Sequence, residues 1–210
     1  MNGVLVIDKP GGMTSFDVVA RVRRVCGTRR VGHAGTLDPF ATGLLLILSG
    51  RSTKLAPQLV GLDKRYVTTI DLSATTTTGD LEGDVVDRHE PPTDLDLDPL
   101  RGEIELPVPA ASAVKIGGER AYRLHRRGVE VEMPSRRSLV YALDVLDREG
   151  TSVTLDLRVS SGTYVRAIAQ ALGGHCTTLR RTEVGPFTIA DAHAPEDFAL
   201  LSEEEVLAAL

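Results

Sequence analysis

The sequence has only two cysteines, Cys26 and Cys176. They stand far apart, with no CxxC pair and no histidines at metal-ligand spacing, which argues against a zinc site and fits a reducing compartment. No apolar run approaches the roughly 20 residues that a bilayer-spanning helix needs. The opening MNGVLVIDKP has no basic stretch before its apolar residues, so no secretory signal is expected and the protein is expected in the cytoplasm. There is no internal repeat. Lysine is scarce at 4 residues against 20 arginines, a bias suited to forked contacts with phosphate.

Charge of one sign also dominates, with a formal net charge of −5, and at first sight this excludes a polyanionic partner. The acids, however, are segregated. Residues 1–79 carry 10 basic against 5 acidic side chains, and residues 106–195 carry 12 against 9. Residues 80–105 carry 2 against 10, and residues 196–210 carry five acids and no Lys or Arg. A basic body is therefore joined to an acidic excursion and an acidic tail, and phosphate binding depends on the local patch. At 210 residues and 42% hydrophobic, the chain can bury a full core.

The stretch Arg29–Ser49, RRVGHAGTLDPFATGLLLILS, combines a glycine-punctuated loop with the apolar run Leu44–Leu48, which reads as a buried strand. Such a loop on a rigid scaffold can hold His33 and Asp38 in fixed positions. By itself, Asp38 before Pro39 reads as a turn former and His33 as a hydrogen-bonded loop residue. Upstream, Val4–Ile7 reads as a strand. Thr14 and Asp17 start a helix with Val18, Val19, Val22 and Val25 at helical spacing, ended by Gly27.

Downstream, residues 52–62 have helical spacing, 66–72 alternate as a strand and 75–83 form a polar loop. Residues 84–99 lack a core-filling period and read as an exposed excursion. A second turn-rich loop, 107–118, leads into a basic helix over 119–127, whose four arginines and Tyr122 suit a nucleic-acid backbone. Residues 139–146 and 151–159 read as paired strands. A helix over 164–172 has Arg166 in its first turn, where the macrodipole disfavours a cation unless it has an anionic partner.

Taken in order, GVLVIDKPGGMTSFDVV, RRVGHAGTLDPFATGLL, DKRY, SAVKIGGERAY and SSGTYVRAI closely resemble the TruB family of tRNA pseudouridine-55 synthases. The resemblance implies an α+β pseudouridine-synthase fold, a mixed, mostly antiparallel sheet with a central active-site cleft flanked by helices and loops. It implies isomerisation of uridine in the T-loop of tRNA by base flipping, without metal or cofactor. Asp38 matches the nucleophile and Tyr66 the active-site tyrosine that stacks on the target base. Arg166 matches the cation that keeps the nucleophile ionised, an effect of about 1–3 pKa units at contact distance. His33 matches the loop histidine that fills the space left by the flipped nucleotide. Lys9, Tyr164 and Leu179 match pocket-wall positions. Lys64, Arg65, Arg29, Arg30, Arg180 and Arg181 are candidates for RNA contacts.

The expected organisation is a catalytic domain over 1–195, carrying the acidic excursion at 80–105, and an acidic tail over 196–210. No separate C-terminal RNA-binding domain is expected, and the protein is expected to act on the tRNA T-arm as a monomer without an obligate protein partner. Three positions depart from the resemblance. Thr77 stands where relatives carry a second aspartate before Asp80, Gln170 replaces a common acid, and the segment between Arg166 and Leu179 is short. Two rival readings are a non-catalytic RNA-binding module and a hydrolase using Asp38 and Asp80 as a carboxylate pair.

Overall fold

A computed structural model describes residues 2–210. In chain order its elements are β1 (Gly3–Lys9), α1 (Ser15–Cys26), β2 (Val31–Ala34), β3 (Thr42–Ser49), α2 (Ala56–Gly61) and β4 (Lys64–Asp71). There follow β5 (Ala74–Thr76), β6 (Val85–Arg88), β7 (Gly102–Pro107), β8 (Lys115–Ile116), β9 (Glu119–Arg120) and α3 (Ala121–Arg126). The chain closes with β10 (Ser135–Glu149), β11 (Ser152–Val159), α4 (Val165–Ala171), β12 (His175–Val184), β13 (Phe187–Thr188) and α5 (Glu203–Ala209). Two compact units share these elements, one holding the chain up to Val67 together with Thr178–Leu210, the other Thr68–Thr177.

In the first unit β3 is the central strand. It is buried from Gly43 to Ser49 and reads as an unbroken apolar run because both its faces are covered. It pairs antiparallel with β1, Leu46 opposite Val6, and with β2, Ala34 opposite Leu46. It also pairs parallel with β12, Arg180 opposite Thr42 and Arg181 opposite Gly43. Val4, Val6, Leu44, Leu46 and Leu48 share a cluster with Leu59, Val184, Phe187 and Val206. Val206 belongs to α5, so the acidic tail contributes to this core, and Leu201 exchanges backbone hydrogen bonds with Val4 at 2.8 and 2.9 Å. Helix α1 packs on β2 and β3. Thr14 and Asp17 form the expected capping box, and Gly27 closes the helix at φ 61°.

In the second unit, β10 pairs antiparallel with both β11 and β7, and Leu143 on β10 is buried together with Val153, Leu155 and Leu157 on β11. The polar loop and excursion are more ordered than their composition suggests. Residues 74–76 pair with 85–88 as a hairpin, Leu97 and Leu100 are buried, and Arg148 donates to the carbonyls of Pro92 and Thr93.

Two helices differ from expectation. Over 52–62 the chain forms a 3-10 helix, Gly50–Leu55, and only then the short α2. Pro57, which has no N–H to give, sits in the first turn of α2 and forces the fresh start. The basic segment 119–127 first spends Glu119 and Arg120 on pairing with Lys115 and Ile116, leaving a helix only over Ala121–Arg126.

Gly43 has φ 101°, and a Cβ there would lie 2.2 Å from the carbonyl oxygen of Arg181, in the backbone of the paired strand. Gly43→Ala is therefore expected to lower the unfolding free energy by about 2–4 kcal/mol, read from urea denaturation midpoints, because both the close approach and the left-handed backbone oppose the methyl group.

Candidate active site

The segment Gly35–Ala41, between β2 and β3, is held by three side chains from three other places. Ser15, at the start of α1, accepts from the Leu37 N–H at 2.9 Å and returns a hydrogen bond to the Leu37 carbonyl at 3.2 Å. Lys9, at the end of β1 and fully buried, donates from Nζ to the carbonyls of Met13 at 2.7 Å, Pro10 at 3.0 Å and Pro39 at 3.3 Å. Arg181, from β12 and 1% exposed, donates to the carbonyls of Leu44 at 2.7 Å, Gly35 at 3.2 Å and Thr36 at 3.5 Å. Within this frame Asp38 begins a turn with Pro39 at its second position, closed by the Ala41 N–H on the Asp38 carbonyl at 3.1 Å. The Asp38 side chain is half-buried.

The electrostatics follow from burial. Loss of water pushes the Lys9 ammonium down to about 8, the negative charge of Asp38 opposes this, and Arg181 adds to it. His33 is lowered by burial and by Arg181, so its ring is neutral near pH 7. It meets Phe16 edge to face at 5.7 Å, and its buried Nδ1 has no hydrogen-bond partner. Tyr66 is 8% exposed on β4, and Leu179 is buried on β12.

The expected RNA contacts divide by exposure. Arg29 and Arg30 are exposed, with Arg30 Nε on Thr53 Oγ1 at 3.1 Å. Arg65 is exposed and pairs with Glu183 at 3.0 Å. Arg180 forms a two-pronged pair with Asp8 at 2.7 and 3.1 Å, on the wall of a cavity of about 350 Å³ that is also lined by Lys9, Thr42 and His193. Lys64 and Arg181 are corrections, since both are buried and neither offers its charge to a phosphate. Lys64 Nζ donates to the carbonyls of Val60, at 2.6 Å, and Leu62, and burial pushes it down to about 8. Strand alternation carries the signal for both, because Lys64 shares the inward parity of Tyr66, Thr68 and Ile70, and Arg181 that of Leu179.

In the second unit Arg166 is 3% exposed and finds its anion in Asp80, 3.3 Å away and 4% exposed. It also donates to the carbonyls of Thr78 at 2.7 Å and Ala111 at 3.0 Å. Asp80 accepts from Thr78 Oγ1 at 2.6 Å and from the Glu82 N–H at 2.9 Å. These bonds order the polar loop and engage Asp80, which tells against the carboxylate-pair hydrolase. Gln170 donates its amide to the Thr76 carbonyl at 3.2 Å, a bond that an ionised acid at this position could not make. Tyr164 precedes α4 and is half-buried. The short segment after Arg166 closes when Gly174 N–H caps the Ala169 carbonyl at 2.8 Å, and β12 begins one residue later. Among the described residues no cluster of His, Cys, Asp or Glu could hold a metal ion, and no helix is long and apolar enough to cross a membrane.

Comparison with known proteins places these motifs. Residues 23–165 match the TruB family pseudouridylate synthase (N terminal domain). The chain is 49% identical over 211 residues to tRNA pseudouridine synthase B of Leifsonia xyli subsp. xyli (strain CTCB07), covering 91% of this chain and 70% of that protein. It is 46% identical over 215 residues to tRNA pseudouridine synthase B of Nocardia farcinica (strain IFM 10152), covering 95% and 70%. Among solved structures, an H/ACA RNP bound to a substrate RNA containing 2′-deoxyuridine matches with TM-score 0.68 and 26% identity over 93% of this chain. A Cbf5-Nop10-Gar1 complex matches with TM-score 0.67 and 31% identity over 89%. This chain spans about half the length of the matched chain in each: 51% in the first and 50% in the second. A pseudouridylate synthase structure, at TM-score 0.57 and 17% identity, shares the fold.

Two outcomes are expected from the site's charges. Asp80→Ala removes the buried carboxylate 3.3 Å from Arg166 and is expected to cost about 3–5 kcal/mol in urea unfolding. Because Lys64 titrates lower in the folded chain than in the unfolded one, the unfolded state holds more protons between pH 8 and 10.5, and stability from this group rises with pH in that window. Urea unfolding at pH 7.5 and 9.5 is expected to show wild type gaining on Lys64→Met at the higher pH.

Proposed function

From its membership of the TruB family of pseudouridylate synthases, to which this chain belongs, we propose that it converts uridine-55 in the T-loop of tRNA to pseudouridine. Asp38 acts as the nucleophile, Tyr66 stacks on the target base, and Arg166 supplies the cation that keeps the reacting carboxylate ionised. The protein does this in the cytoplasm as a monomer, without a cofactor. The observation that carries the reading is the bracing of the Asp38 turn by Lys9, Ser15 and Arg181.

That bracing suits the chemistry. The glycosidic bond must break, the base must turn over, and a C–C bond must form, with one carboxylate sustaining the intermediate throughout. A carboxylate already held in place loses little freedom on the way to the transition state. Burying cations beside it favours its charged form without solvent having to reorganise.

The target uridine lies within a folded loop and has to be extruded at a cost of a few kcal/mol. His33, neutral and aromatic, fills the vacated space without carrying a charge into the base stack. Leu179 and Tyr164 form apolar walls for the base, while Arg29, Arg30, Arg65 and Arg180 meet phosphates. Binding is then salt-dependent, each neutralised phosphate releasing counterions.

The test is to incubate the protein with an unmodified tRNA transcript and map pseudouridine. Wild type is expected to modify position 55, and Asp38→Asn is expected to leave no detectable product. No product with wild type, or undiminished product with the variant, overturns the reading.

A further inference from the structure

We infer that Phe16 is a further RNA-stacking residue, which extends the His33 ring outward and packs against a base next to the extruded nucleotide. The inference rests on the proposed reaction for the identity of the RNA, and on the following observations for the residue.

Phe16 is 68% exposed, more than any other large apolar side chain among the described residues, in a chain with four phenylalanines and no tryptophan. It adds nothing to the core side of α1, which Ser15, Val18, Val19 and Val22 provide. A lone exposed apolar residue is ordinary on a protein surface. This one is set apart by its neighbour and by its rigidity. Its ring stands at 86° to His33, centroids 5.7 Å apart, while the buried Nδ1 of His33 has no hydrogen-bond partner. The pair is thus held through ring contact, as a single aromatic wedge with one half-buried member and one exposed.

The exposed ring is also fixed relative to the reacting loop. The residue before it, Ser15, exchanges two hydrogen bonds with Leu37, the residue before Asp38. The helix start is locked by the Thr14–Asp17 capping box, whose carboxylate accepts from Thr14 N–H at 2.8 Å and Oγ1 at 2.6 Å. That engagement holds the Asp17 carboxyl below its usual range and commits it to the helix end. A flat apolar ring, presented to solvent from a capped helix start and in edge-to-face contact with His33, has the attributes of a base-stacking platform. Such platforms accept any base, because every base has a π-face.

The experiment compares wild type with Phe16→Ala, Phe16→Leu and Phe16→Tyr in the full chain, using a T-arm stem-loop RNA and an unmodified tRNA transcript. Loss of one base–aromatic stack is expected to weaken RNA binding about 5- to 100-fold in the Ala and Leu variants, with Tyr staying within about 2-fold of wild type. The expected signature is an altered Kd and KM, a single-turnover rate at saturating RNA within about 2-fold, an unchanged thermal midpoint, and an unchanged dependence of binding on salt. Binding by Phe16→Ala within 2-fold of wild type overturns the inference, as does full recovery by Phe16→Leu. If wild type binds the RNA but forms no pseudouridine, the proposed reaction fails, while the same pattern among the Phe16 variants still supports the stacking role.

Discussion

Two cations inside the fold, each spending its hydrogen bonds on backbone carbonyls, hold the Asp38 turn in place. Lys9 and Arg181 come from strands that flank β3 on opposite sides, and between them they bind the carbonyls of Gly35, Thr36 and Pro39 around Asp38. A buried ammonium or guanidinium is costly unless its donors are satisfied and its charge is balanced. Carbonyl oxygens satisfy the donors, and the field of Asp38 partly balances Lys9. The dependence runs both ways, since the charge of Asp38 raises the buried Lys9 while Lys9 holds the carbonyl of Pro39 beside it.

The second unit solves the same problem with a conventional ion pair. Arg166, placed where a helix dipole repels it, is offset by Asp80, and the remaining donors again find carbonyls. Thr77 and Gln170 stand where the resemblance led to an acid being expected. The loop holds without those acids because Asp80 draws its bonds from Thr78 and Glu82, and Gln170 bonds directly to the Thr76 carbonyl.

Much of this was legible from the residues. Leu44–Leu48 read as a buried strand, and Thr14 with Asp17 and Gly27 bounded α1 at both ends. The misplaced charge of Arg166 called for an anionic partner, which the resemblance gave as Asp38; the carboxylate that the second unit sets 3.3 Å from it is Asp80. What escaped was orientation. Arg181 and Lys64 look like surface charge when counted in a basic patch, and only strand parity, which turns on a single residue of register, sends them inward. Pro57 inside the expected helix over 52–62 was a visible breaker whose effect was to split that segment into a 3-10 turn and α2. The excursion at 84–99 has the composition of a disordered segment, yet a few buried leucines and Arg148 tether it, because order there depends on tertiary partners that composition does not record.

The contact between Gly43 and the Arg181 backbone bears on how this molecule moves. Loops that carry chemistry are commonly the least stable parts of a protein, opening on their own while the scaffold stays shut. Here anchors of the Asp38 turn grow from β1 and β12, and at Gly43 β3 lies so close to the Arg181 backbone of β12 that a Cβ has no room. The Asp38 turn is therefore tied into the sheet through its own carbonyls, and opening it alone has to break the bonds that Lys9 and Arg181 make to Pro39, Thr36 and Gly35.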